Sequence, residues 1–173
     1  GRSGNTLLRS MLVSGGEVTI PPESYVWPRI IRIYETYNFL PWEKLCSLII
    51  SEFEAYKEFY TWEVNLFKAH EKARNLPNSK RSLSYIIKTV YSTYQEEKKE
   101  EHNVWGDKTP INTIYIDKIQ QVYPNGKYIH ILRDPKDVVS SYVKANLYSN
   151  HLDAAVFWKT AIEKVILLKK IIQ

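Results

Sequence analysis

A chain of 173 residues is long enough to bury a real core and short enough to form one domain. With 44% hydrophobic and 25% charged residues it has the composition of a folded globular protein, which excludes a disordered or low-complexity chain. Lys and Arg number 24 against 19 Asp and Glu, and the net charge of +5 favours an anionic ligand only mildly.

The elements are predicted in chain order from hydrophobic period and turn chemistry. Gly1-Arg2-Ser3-Gly4-Asn5-Thr6 is a small-residue loop that runs into a helix over Leu7–Leu12, ended by Ser14-Gly15-Gly16. A short strand is expected at Val18–Ile20, stopped by Pro21-Pro22. From about Trp27 to Glu101 the chain reads as mostly helical. Within it, Leu83, Ile86, Ile87, Val90, Tyr91 and Tyr94 form an apolar stripe behind Ser82. A second strand is expected at Val104–Trp105, and a helix over Ile111–Val122 is closed by Tyr123-Pro124-Asn125-Gly126. Lys127–Leu132 is the strongest strand candidate, rich in β-branched residues. A helix with Val138, Val139, Tyr142 and Val143 on its inner face follows, then a last helix from about Leu152 to Ile172. Alternation of strand and helix predicts an α/β fold, three layers with a central parallel sheet flanked by helices in the P-loop-like manner. Ligands then sit at the carboxyl ends of the strands. The expectation is a single domain over residues 1–173 that continues past both ends.

Cys46 is the single cysteine, so no internal disulfide is possible, and a small buried hydrophobe is its plainest role. One cysteine and no visible signal peptide suit a cytoplasmic location, with an N-terminal targeting or anchor segment left open. No stretch is long and apolar enough to span a membrane. His70, His102, His130 and His151 lack metal-ligand spacing, so no metal is expected, and His130 reads as a core histidine. The 13 tyrosines are spread along helical segments rather than gathered into base-stacking platforms, so no nucleic-acid partner is expected. Lys98-Lys99-Glu100-Glu101 reads as a solvated helix end.

Two segments carry chemistry. In the opening loop, backbone N–H groups of Ser3, Gly4, Asn5 and Thr6 can converge on a phosphate at the N-terminus of the first helix, with hydroxyls from Ser3 and Thr6 and a cation from Arg2. The plainer reading is a turn that caps a helix. Asn5 stands where a Walker A loop has its lysine, which disfavours magnesium–ATP chemistry. At the other end, Arg133 closes a strand, Asp134-Pro135 opens a helix, and Ser141 lies two turns along it. Arg133 and Ser141 can grip one phosphate from two directions, or Arg133 is an ordinary surface cation.

Together these segments resemble the sulfotransferases that use 3′-phosphoadenosine-5′-phosphosulfate (PAPS). Gly1 to Leu8 is similar to that family's 5′-phosphosulfate loop, and Arg133 to Tyr142 to its 3′-phosphate motif, with Arg133 and Ser141 at the family's spacing. Ile20-Pro21-Pro22-Glu23 and Trp105-Gly106-Asp107-Lys108-Thr109-Pro110 resemble elements of a bacterial-type branch related to the tyrosylprotein sulfotransferases. Asn5 departs from the family's threonine. The resemblance implies that PAPS is bound by Arg2, Ser3, Gly4, Asn5, Thr6, Arg133 and Ser141. It also implies that Glu23 is the base for the acceptor, with Lys108 and Arg2 facing the sulfonate and bridging oxygen. A glutamate after two prolines is stiffly held, although capping the next helix is its other reading. The acceptor stays open among carbohydrate, lipid, peptide and small metabolite. A P-loop-like small-molecule kinase and an inactive nucleotide-binding domain are the competing functions.

Overall fold

The structure, a computed structural model, describes residues 4–100 and 104–172, apart from the side chains of 169–172. The described residues form α1 (Asn5–Ser14), α2 (Trp27–Tyr37), α3 (Trp42–Glu54), α4 (Phe67–Arg74), α5 (Leu83–Glu97), α6 (Ile116–Val122), α7 (Pro135–Lys144) and α8 (His151–Ile172), joined by short 3-10 turns. The chain divides into two compact units, Arg9–Thr109 and Pro110–Gln173 with Gly1–Leu8, the division falling inside α1.

In the Arg9–Thr109 unit, α3 buries Leu45, Cys46, Ile49, Ile50 and Phe53, a stripe spaced by about one turn. It packs on α2, α4 and α5. α5 starts where expected: the Ser82 side chain accepts from the Tyr85 N–H as the N-cap, and Leu83, Ile86, Ile87, Val90, Tyr91 and Tyr94 turn inward. The centre is aromatic. Trp62, wholly buried, meets Phe53, Tyr91 and Tyr94 with ring centroids 6.0, 5.8 and 5.3 Å away. Cys46 is buried here as expected, and burial pushes its thiol up to about 12, which leaves it inert.

In the other unit, α7 opens on Pro135 at its first turn, with the Asp134 carboxylate accepting from the Lys136 N–H at 2.8 Å. Val138, Val139 and Tyr142 pack with Ala154 of α8, joined by Phe157 and Trp158. α8 also lies on α6 and on the 3-10 turn Pro110–Tyr115, where Lys164 reaches Asp117 at 3.0 Å.

The central parallel sheet is not there. Among the described residues the β-pairing is one isolated parallel bridge, Thr19 to Trp105. The expected strands at Val18–Ile20 and Val104–Trp105 therefore touch at a single rung, and the chemistry on each side explains why. Pro21 and Pro22 have no N–H to extend the ladder. The carbonyls of Ile20 and Pro21 are instead taken by the Arg9 guanidinium, whose Nε lies 2.8 and 3.3 Å from them. Lys127–Leu132 forms no ladder either. Ile129 and Leu132 are 65% and 66% exposed, so this segment lacks the cover on both faces that a parallel strand needs. His130, expected in a core, is exposed for the same reason.

Trp62→Ala empties the centre of the Arg9–Thr109 unit, and the expected loss is about 3–5 kcal/mol of stability. Denaturant unfolding of the two proteins measures it.

Candidate active site

The single rung is the start of a site. Thr19 donates its N–H to Val104 O at 3.0 Å and accepts at its carbonyl from the Gly106 N–H at 2.9 Å. A Cβ at Gly106 would come within 3.3 Å of Ile20 Cγ1, a tight contact that the Ile20 side chain would have to relieve. From this rung the two segments run on together. Buried Ser24 donates its N–H to Thr109 Oγ1 at 3.2 Å and its hydroxyl to Asp107 Oδ2 at 3.3 Å. The same Asp107 oxygen takes the Tyr91 hydroxyl at 2.6 Å. Tyr91 is wholly buried and stacked on Trp105 with centroids 4.2 Å apart. Gln95 secures the rung from α5, donating to Val104 O at 3.2 Å and Thr19 Oγ1 at 3.4 Å, while the Thr19 hydroxyl donates to Glu100. Glu100 is thus more than a solvated helix end.

Glu23 and Lys108 meet at the open end of this junction. The Lys108 ammonium donates to Glu23 Oε1 in a half-buried ion pair, the side chains 17% and 28% exposed. Glu23 therefore caps no helix; it faces a cation from a segment 85 positions further on. Tyr25 is a close neighbour of Glu23, on a backbone held in the left-handed region at φ 52°. Tyr25 stacks on Tyr56, ring centroids 5.9 Å apart, and Tyr56 donates to Glu58 Oε2 at 3.1 Å. Burial, then the neighbouring Glu23 carboxylate, push the Tyr25 phenol far above its ordinary range. Burial, then Glu58, push Tyr56 up to about 12. Both stay protonated donors at neutral pH.

The residues expected to hold phosphate belong to the other unit. Gly4, at φ 94°, takes a backbone that residues with a Cβ rarely adopt, directly before α1, and its carbonyl accepts from the Leu8 N–H at 3.1 Å. Asn5 and Thr6 form the first turn of α1, the end at which a helix presents its backbone N–H groups. Arg2 and Ser3 lie outside the described residues. The Arg133 guanidinium is half exposed and reaches Asp137 Oδ2 at 3.2 Å. Ser141 lies on α7, one turn beyond Asp137. An exposed fork-shaped cation, a hydroxyl and a helix N-terminus behind a left-handed glycine fit the phosphates of a nucleotide.

Tyr25, Tyr56, Arg9, Ser24 and Tyr91 build the surroundings of the Glu23–Lys108 pair and are not singled out for that role by pattern, since isolated tyrosines and one helical arginine carry no spacing signal. No three His, Cys, Asp or Glu residues that could hold a metal ion gather among the described residues. No helix there is long and apolar enough to cross a membrane. An open groove of about 500 Å³ beside α3, lined by Leu40, Lys44, Ser47, Leu48 and Arg74, contains none of the motif residues.

The raised phenols make stability fall in alkali. In the unfolded chain these tyrosines ionise near pH 10, whereas in the folded one they hold their protons longer, so the unfolded state binds fewer protons above that pH. Their contribution is fully present below about pH 10 and is lost as the pH rises towards and past 12. Urea melts from pH 8 to 12, read beside tyrosinate absorbance, should show the late-ionising tyrosines titrating together with unfolding. Complete ionisation near pH 10 of all 13 tyrosines in a still-folded chain contradicts the network.

Comparison with known proteins adds one match. Residues 1–167 fit the family model described as "Sulfotransferase family". No curated protein and no solved structure matches the chain. The matched stretch takes in the opening loop, the Glu23–Lys108 junction and the Arg133 helix alike, and the chain belongs to the sulfotransferase family.

Proposed function

We propose that the chain transfers the sulfonate of PAPS to a hydroxyl or amine of its acceptor, as one sulfotransferase domain. The observation that carries this reading is the Glu23–Lys108 ion pair. Two short motifs far apart in sequence deliver one carboxylate and one ammonium to the same half-buried spot, and sulfonate transfer needs one group of each sign. PAPS supplies the sulfonate and leaves as adenosine-3′,5′-bisphosphate. Glu23 takes the proton of the attacking hydroxyl, using the carboxylate lone pairs that Lys108 leaves over. Lys108 balances the charge that grows on the transferring group and its leaving oxygen, a role shared with Arg2. Positioning and electrostatics carry this reaction, as in phosphoryl transfer, with no metal among the proposed groups.

In this reading Arg2, Ser3, Gly4, Asn5 and Thr6 take the 5′-phosphosulfate, and Arg133 and Ser141 take the 3′-phosphate. The amide of Asn5 serves where the family uses a hydroxyl. The Pro-Pro-Glu and Gly-Asp-Lys-Thr-Pro elements support the bacterial-type branch, and the single buried cysteine suits a cytoplasmic setting. Family membership speaks for a sulfonate donor over magnesium–ATP, so the kinase reading gives way.

Calorimetry with adenosine-3′,5′-bisphosphate, adenosine-5′-monophosphate and magnesium–ATP tests the donor assignment. The bisphosphate should bind best. Arg133→Ala removes a charge-assisted contact to the 3′-phosphate and should cost the bisphosphate about 1.5–3 kcal/mol while leaving the monophosphate nearly unchanged. Equal losses for both nucleotides, or preference for magnesium–ATP, contradict the assignment.

A further inference from the structure

Arg133 precedes α7, and its guanidinium lies against Asp137, in the first turn of that helix. Asp137 and Ser141 stand four positions apart on α7, hence on one face about one turn from each other. A phosphate that touches both the Arg133 guanidinium and the Ser141 hydroxyl must lie alongside the Asp137 carboxylate. Both members of the ion pair are about half exposed, so their exchange with a ligand needs no unfolding. We propose that Asp137 is an affinity-limiting residue of the 3′-phosphate subsite: it neutralises Arg133 when no nucleotide is bound and repels the phosphate when one is. The inference rests on the assignment of the 3′-phosphate to Arg133 and Ser141.

Two effects of opposite sign compete at this position, and their sizes decide the outcome. Asp137 restrains the Arg133 side chain, which favours binding. An exposed ion pair of this spacing holds its partners by no more than about twofold in population. Against that, a carboxylate about 5 Å from a phosphate dianion opposes it by roughly five- to tenfold in affinity, even at a water-like dielectric. Repulsion wins. The consequence is functional: a bisphosphate product held by an unopposed arginine leaves slowly, and product release limits turnover in many enzymes. Asp137 keeps the donor site exchangeable at the expense of tight binding.

The test is nucleotide titration of the intact chain and of Asp137→Asn, which keeps the shape and removes the charge. Affinity for adenosine-3′,5′-bisphosphate should rise about five- to tenfold in Asp137→Asn, and the gain should shrink as salt is raised. Adenosine-5′-monophosphate, with no 3′-phosphate, should bind both proteins equally. Glu163→Gln, which removes an equal charge from an exposed residue of α8, should change neither affinity and separates a local effect from net charge. Unchanged or weakened bisphosphate binding in Asp137→Asn overturns the inference, and so does an equal gain in Glu163→Gln. Arg133→Ala in the same series isolates the underlying reading. If that substitution spares the bisphosphate, the 3′-phosphate assignment itself is wrong and the role of Asp137 falls with it.

Discussion

The Tyr91 hydroxyl sits where no water reaches it, and a buried phenol must find an acceptor or cost the fold a kilocalorie or more per mole. It finds Asp107, which also takes the Ser24 hydroxyl, and that shared carboxylate fastens the chain around Glu23 to the chain around Lys108. The meeting of Glu23 and Lys108 rests on this fastening. Trp105 packs flat on the same tyrosine, Gly106 allows Ile20 to close in, and Ser24 locks onto Thr109. A carboxylate and an ammonium left free on flexible loops would pair weakly, as exposed ions do. Here they project from backbones already fixed by the aromatic core, so their pairing costs little further ordering.

Arg9 completes the arrangement from another direction. By occupying the carbonyls of Ile20 and Pro21 it satisfies acceptors that a neighbouring strand would otherwise take. Its guanidinium thus holds the Pro-Pro turn in place of a sheet. Tyr25 stands beside Glu23 on a strained, left-handed backbone, with Tyr56 stacked against it.

Much of this was legible in the residues and part was not. The helix after Ser82, the Pro135 start of α7 and the buried face of Val138, Val139 and Tyr142 follow from caps and a 3.6-residue period, which are local signals. Glu23 and Lys108 were legible as motif residues, but nothing in their spacing says that they touch. The sheet was misjudged because strand propensity describes side chains, whereas a strand exists only if its backbone finds a partner. Val18–Ile20 had the right residues, yet two prolines and an arginine took away its hydrogen-bonding options. Lys127–Leu132 had the right residues and no covering layer. Tyr25 and Arg9 were invisible because their roles come from tertiary contacts without a sequence period.

The claim that Glu23 and Lys108 act as one unit is tested most directly by a double-mutant cycle on sulfonate transfer from labelled PAPS, using Glu23→Gln, Lys108→Ala and the pair. If Glu23 is the base, Glu23→Gln lowers turnover by about 10²–10⁴-fold with nucleotide binding intact, and adding Lys108→Ala costs far less than it does alone. Losses that multiply independently, or a Glu23→Gln protein that keeps most of its turnover, contradict the account.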